Sequence, residues 1–230
     1  MEWLQKILDT DTELFLYLNS FHNDFWDTIM LMVTRKETWI PFFLVVVYFF
    51  IRNYRSKSII ILLFMALTLL ASDQLSVLLK DTVQRLRPVY NPAIEHLVHN
   101  VLRKGSQFGF VSSHAANSFA ILVFTALIFK NRNYTLLLFF WALVFSYSRI
   151  YSGVHYPLDI LGGAALGWVL GYFFYKMLMF VENHFFIARS PRIEKTRLDN
   201  LQTGTVFLVF TVLAATVFIV VSILHHYNYL

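Results

Sequence analysis

Apolar residues run along this chain in long blocks separated by short polar connections. Residues 1–22 differ from the rest: Trp3, Leu4, Ile7, Leu8, Leu14, Phe15 and Leu18 recur among acids and Asn19, a spacing that predicts an amphipathic helix lying in a membrane interface. Six blocks follow, long or apolar enough to read as membrane spans: 39–51, reaching back toward Trp26, then 59–79, 115–129, 135–147, about 160–180 and about 205–224. The expected fold class is all-α, a polytopic membrane helical bundle of about six transmembrane helices with an N-terminal interfacial helix.

Composition supports that pattern. Of 230 residues, 57% are hydrophobic and 14% charged, with a mean hydropathy of +0.57, too apolar for an ordinary soluble domain. A span takes about 20 residues, so five or six spans use up a chain of this length and predict one domain over 1–230. The chain has no cysteine, which removes disulfides, thiolate nucleophiles and thiolate metal sites. Acids at Glu2, Asp9, Asp11 and Glu13 interrupt the first residues, so no cleavable signal peptide is expected. The 24 Phe and 12 Tyr read as lipid-facing bulk and interface anchors.

The net charge of +5 is distributed unevenly along the chain. Arg52, Arg55 and Lys57 fall in one connection, Lys130 and Arg132 in a second, and Lys176, Arg189, Arg192, Lys195 and Arg197 around a third; the alternation of spans puts all three on one side. The positive-inside rule makes that side cytoplasmic, including the polar connection 181–203, and leaves 80–113 and 149–158 outside. Topology accounts for the basic residues, so no nucleic-acid partner is expected; those of 181–203 could also touch anionic headgroups.

The outer connections hold the chemistry. Three short stretches stand at span ends: 80–88 with Lys80, Arg87 and Pro88; Ser112-Ser113-His114; and 148–159 with Ser148, Arg149, His155 and Asp159. A phosphate ester demands neutralised oxygens, an in-line nucleophile and a proton for the departing oxygen. Lys80, Arg87 and Arg149 can clamp oxygens. Ser112, Ser113 and nearby backbone N–H groups precede a predicted helix, where orphan donors favour an anion. His155 and Asp159 are four apart, so on a helix the carboxylate can hold one ring nitrogen while the other attacks phosphorus. His114 is placed to protonate the leaving oxygen and then activate water. The scheme needs no metal and no cofactor. Taken singly, each cation reads as an interfacial anchor and Asp159 as a helix cap.

Read jointly, the spacings resemble the type 2 phosphatidic acid phosphatase superfamily, whose signature is Lys-x6-Arg-Pro, Pro-Ser-Gly-His and Ser-Arg-x5-His-x3-Asp. Lys80 to Pro88 and Ser148 to Asp159 fit the first and third parts; in the second, Val111 stands for the proline and Ser113 for the glycine. The resemblance covers about 80–163. It implies a metal-independent phosphohydrolase in a helical bundle, with His155, His114 and Asp159 catalytic and Lys80, Arg87, Ser112, Ser113 and Arg149 on the phosphate. The family also includes soluble vanadium-dependent haloperoxidases, whose water-soluble shell this chain lacks. Bacterial members act on undecaprenyl diphosphate, phosphatidylglycerol phosphate or lipid A phosphates, which implies an inner-membrane enzyme with a lipid phosphate substrate and an active site facing the periplasm. The signature reads only the phosphoryl group and leaves undecaprenyl diphosphate and a lipid A phosphate both open, with phosphatidylglycerol phosphate and phosphatidic acid as further alternatives. A non-catalytic lipid-phosphate binder or transporter is the rival from another class, and it predicts a broken catalytic pair. Oligomeric state is not legible.

Three features stay outside the signature. Glu95, His96 and His99 invite a metal-site reading but no further ligand is suitably spaced. Asp73 falls within a predicted span and calls for a partner such as Ser72, Gln74 or Arg149. Arg85, Arg103 and Lys104 either draw an anionic headgroup inward or are solvated loop charges.

Overall fold

The computed structural model describes residues 2–102, 104–186 and 191–227; Arg103 and Arg189 lie outside them. Among the described residues the regular structure is helical, apart from one isolated antiparallel bridge between Leu86 and Phe108. The helices are α1 (Glu2–Asn19), α2 (Asp24–Thr34), α3 (Ile40–Tyr54), α4 (Ser58–Val83), α5 (Ser113–Phe129), α6 (Arg132–Tyr151), α7 (Pro157–Phe185) and α8 (Asn200–His226). Each of the six apolar blocks becomes a helix, α3 through α8, and the N-terminal segment becomes α1. By length and composition four stretches can cross a membrane: 36–83, which holds α3 and α4, then α6, α7 and α8. At 17 residues, α5 is apolar but shorter.

The first block does not reach back to Trp26 as one helix. A separate α2 starts at Asn23, whose side chain accepts from the Trp26 N–H at 2.9 Å, and stops at Arg35, which is extended at ψ 129°. Trp39 Nε1 donates to the Val33 carbonyl at 2.8 Å and Thr38 Oγ1 to that of Met32 at 2.6 Å, closing the end of α2. Pro41 then opens α3, where its missing N–H is harmless.

The bundle is organised around α5, which packs against α4, α6 and α7. Its contact with α7 is the most intimate because α7 presents Gly163, Gly167 and Gly171 every four residues. A Cβ on Gly167 would fall 2.2 Å from the Ala116 carbonyl oxygen, so only glycine lets the two backbones approach this closely. Gly163 lies at Ser112 and Ala115, and Gly171 at Ala120 and Val123, so α5 and α7 run parallel and both N-termini reach the same end of the molecule.

The opposite end is a separate polar network. A buried Lys57–Glu182 pair at 2.6 Å, an Ile193 N–H donating to Glu182 at 2.8 Å, a reciprocal Asn53–Gln202 amide pair and a Leu198 N–H bond to the Phe129 carbonyl fasten the 191–203 connection beneath the helices. The described basic residues of the three connections gather here. At the other end, α1 buries only Asp11, Phe15 and Asn19 and exposes Trp3, Leu4, Ile7 and Leu14. Asn19 holds it in place, donating to the Tyr151 carbonyl at 2.8 Å and accepting from the His99 N–H at 2.9 Å.

Candidate active site

The expected site residues gather at the end where α4 finishes and α5 and α7 begin. Lys80, in the last turn of α4, is nearly buried and donates to Ser113 Oγ at 2.6 Å; Ser113 also meets Ser76 Oγ at 2.6 Å. Past α4 the chain reverses through Gln84 in a left-handed conformation (φ 51°), and 85–87 then pair with 107–109. That pairing fixes Arg87, whose Nε donates to the Phe108 carbonyl at 3.1 Å and whose terminal nitrogen donates to Ser106 Oγ at 3.0 Å. Gly109 is wedged between the first and third motifs: a Cβ there would lie 3.0 Å from Asp159 Oδ2, 3.1 Å from Arg87 Cγ and 3.6 Å from His155 Nδ1.

His155 stands just ahead of α7 and Asp159 in its first turn, 3.4 Å apart between Nδ1 and Oδ2. The carboxylate also accepts from the Tyr156 N–H at 2.9 Å, closing a capping box. Ser112 caps α5 and donates its own N–H to the Asp159 carbonyl at 2.9 Å, which ties the two helix starts together. Burial, reinforced by the positive charges of Arg87, Arg149 and Lys80, pushes the His155 imidazole well below its ordinary pKa, so the ring is neutral at working pH. Burial also lowers Arg87, but a guanidinium has ample range to remain charged.

His114 stacks on Phe145, with centroids 5.2 Å apart, and lies within electrostatic reach of Arg149 and His155. It lines a cavity of about 490 Å³ with Lys36, Asp73, Ser113, Asn117 and Trp141. Arg149 is held by Thr34 of α2, to whose Oγ1 it donates at 2.7 Å, and its buried Nε has no partner.

Arg85 is neither a solvated charge nor a headgroup lure. It bridges two buried carboxylates, Asp159 at 3.0 Å and Asp11 of α1 at 2.7 Å, and lies 4.0 Å over the Tyr156 ring. Asp11 also accepts from the Leu158 N–H at 2.9 Å. Burial raises the Asp11 pKa while Arg85 opposes that shift. Neither residue was expected at the site; the signal was an acid on the one helical row, Asp11, Phe15 and Asn19, that α1 buries. The anticipated partners of Asp73 are otherwise engaged or silent: Arg149 goes to Thr34, and no hydrogen bond or ion pair among the described residues engages the Asp73 carboxylate. His99 bonds to Asp27 at 2.9 Å and stacks on His22 at 3.7 Å, instead of facing Glu95 and His96. Lys104 lies 5.5 Å over the Tyr90 ring.

Cations, two helix N-termini and a neutral imidazole backed by a carboxylate thus converge where an anion can be held and attacked. Comparison with known proteins agrees with that chemistry. The PAP2 superfamily model matches residues 58–183. A lipid A 4'-phosphatase of Bacteroides thetaiotaomicron is 38% identical over 177 residues, spanning 75% of this chain and 78% of that protein. The undecaprenyl-diphosphatase BcrC of Bacillus subtilis is 27% identical over 157 residues, 68% of this chain and 77% of its own. The crystal structure of Aquifex aeolicus LpxE superposes with a TM-score of 0.58 at 24% identity, covering 72% of this chain and 94% of that one, a likeness of fold. The chain therefore belongs to the PAP2 superfamily and is a membrane phosphatase of that family.

Proposed function

We propose that this protein removes a phosphate from a lipid A-type glycolipid at the outer face of the bacterial inner membrane, through a phosphohistidine intermediate. The observation that carries the mechanism is the buried, neutral His155 held by Asp159 beside three cations. With Nδ1 kept protonated by Asp159, Nε2 attacks phosphorus as the bond to the lipid oxygen breaks. His114, which takes up a proton once the phosphate dianion lies against it, gives that proton to the departing oxygen, and Lys80, Arg87, Arg149, Ser112 and Ser113 hold the equatorial oxygens. His114 then takes a proton from water, whose oxygen displaces the phosphoryl group from His155 and frees inorganic phosphate. The site cations supply the charge neutralisation, so the reaction is expected to proceed without a metal. The 1–230 chain works as one domain.

Similarity to the lipid A 4'-phosphatase supports the glycolipid reading; undecaprenyl diphosphate is the second reading, favoured by the similarity to BcrC. The outward orientation is supported by the basic residues collected at the end opposite the site. The test is phosphate release by the detergent-purified protein from lipid A, undecaprenyl diphosphate, phosphatidylglycerol phosphate and phosphatidic acid, with EDTA present and His155→Ala as control. Release from lipid A that resists EDTA and disappears in the variant is the expected result. Release from undecaprenyl diphosphate alone transfers the assignment to that lipid, and release that persists in the variant sinks the phosphohistidine mechanism.

A further inference from the structure

The cavity beside His114 contains polar groups that the phosphoryl chemistry leaves unused. Asp73 is exposed on α4, seven residues before Lys80 and so about 10 Å along the helix axis from it, at a depth where an unpaired acid is expensive. Its carboxylate has no hydrogen-bond or ion-pair partner among the described residues. Asn117 lies one turn along α5 from His114 on the same face, and its Oδ1 is buried without a partner. The indole N–H of Trp141, whose side chain is nearly buried, is likewise unpartnered. All three residues line the same cavity, which is continuous with Ser113 and His114.

A buried polar atom without a partner costs stability unless a ligand completes it. We infer that this cavity is the subsite for the leaving group, with Asp73 and Asn117 accepting hydrogen bonds from N–H or O–H groups that lie deeper than the scissile phosphate. An amide-linked, hydroxyacylated amino sugar carries such donors below its phosphate; a polyprenyl chain has none beyond its phosphates. Asp73 is then a specificity-determining residue, and the inference rests on the glycolipid reading proposed above.

The experiment compares kcat/KM for lipid A with kcat/KM for p-nitrophenyl phosphate, which has the phosphate but no lipid body. The proteins are wild type, Asp73→Leu, Asp73→Asn and Asn117→Leu. The lipid A to p-nitrophenyl phosphate ratio is expected to fall about tenfold in Asp73→Leu, the scale of one hydrogen bond to a charged acceptor, and less in Asp73→Asn, which keeps an acceptor oxygen. Asn117→Leu is expected to lower the same ratio. A ratio within twofold of wild type in both Asp73 variants overturns the inference and leaves Asp73 as a residue of the cavity wall. Wild-type protein that cleaves p-nitrophenyl phosphate but not lipid A overturns the glycolipid reading itself, and the subsite with it. Because Asp73 is exposed, both of its variants should fold, which size-exclusion of the detergent complex checks.

Discussion

A histidine can attack phosphorus only through an unprotonated nitrogen, and His155 is arranged to keep one. In the proposed mechanism its neutral form is the reactive one, and its pKa lies well below the ordinary imidazole value because burial and nearby cations disfavour a second proton. In the free enzyme, protonation should therefore set in only well below pH 6.5. The 15N shifts of His155 in micelles are expected to remain those of a neutral ring at pH 5.5; a titration midpoint near 6.5 would contradict the electrostatics described. His155→Ala is expected to lower turnover by about a thousandfold or more, whereas His114→Ala should still accumulate phosphoenzyme from a substrate with a good leaving group. Trapping with radiolabelled phosphate separates the two, and equal wild-type rates in both would end the mechanism. The spacing of Lys80, Arg87, His155 and Asp159 was legible in the sequence because adjacent turns of backbone set their reach. The Asp11–Arg85–Asp159 chain was not, since Arg85 meets partners 74 residues away on either side through tertiary packing alone.

At the scale of elements, α1 and α7 carry the most consequence. Asp11 fixes Arg85, Arg85 fixes Asp159, and Asp159 meets His155, so α1 reaches the proposed nucleophile through two ion pairs. Asp11→Asn is expected to lower kcat about tenfold with KM little changed, and Asp11→Glu to restore part of it; a rise in KM alone would mean that α1 serves only binding. The glycine row of α7 makes the second prediction. Gly167→Ala drives a Cβ into the Ala116 carbonyl and should lower the melting temperature and remove activity together, because the same contact aligns both helix starts. Gly204→Ala on α8, with nothing within 4 Å of the added carbon, should instead stabilise by about 0.5–1 kcal/mol. Six apolar blocks announced six helices through length and hydropathy. The 39–51 block agrees with α3; only its reach back toward Trp26 fails, because extended backbone at Arg35 and the charged residues Arg35, Lys36 and Glu37 set α2 apart as a helix of its own.

For the molecule as a whole, the two ends differ in chemistry: the proposed phosphate-binding groups at one, a basic, strapped connection at the other. A chain without native cysteine allows that polarity to be read directly. Lys104→Cys, exposed at the site end, is expected to react with an impermeant maleimide on intact spheroplasts, and Lys195→Cys, exposed at the opposite end, only after lysis. The reverse pattern would invert the orientation. Because α5 and α7 run parallel and start at the same end of the bundle, the proposed site lies at its tip, and on the proposed outward orientation a dianion entering it traverses little of the electric field across the bilayer. One charge moved through 100 mV requires about 2.3 kcal/mol, and a site at the rim avoids most of that work. Catalysis should then proceed at the same speed in energised and de-energised proteoliposomes, so the enzyme can keep working when the proton-motive force collapses.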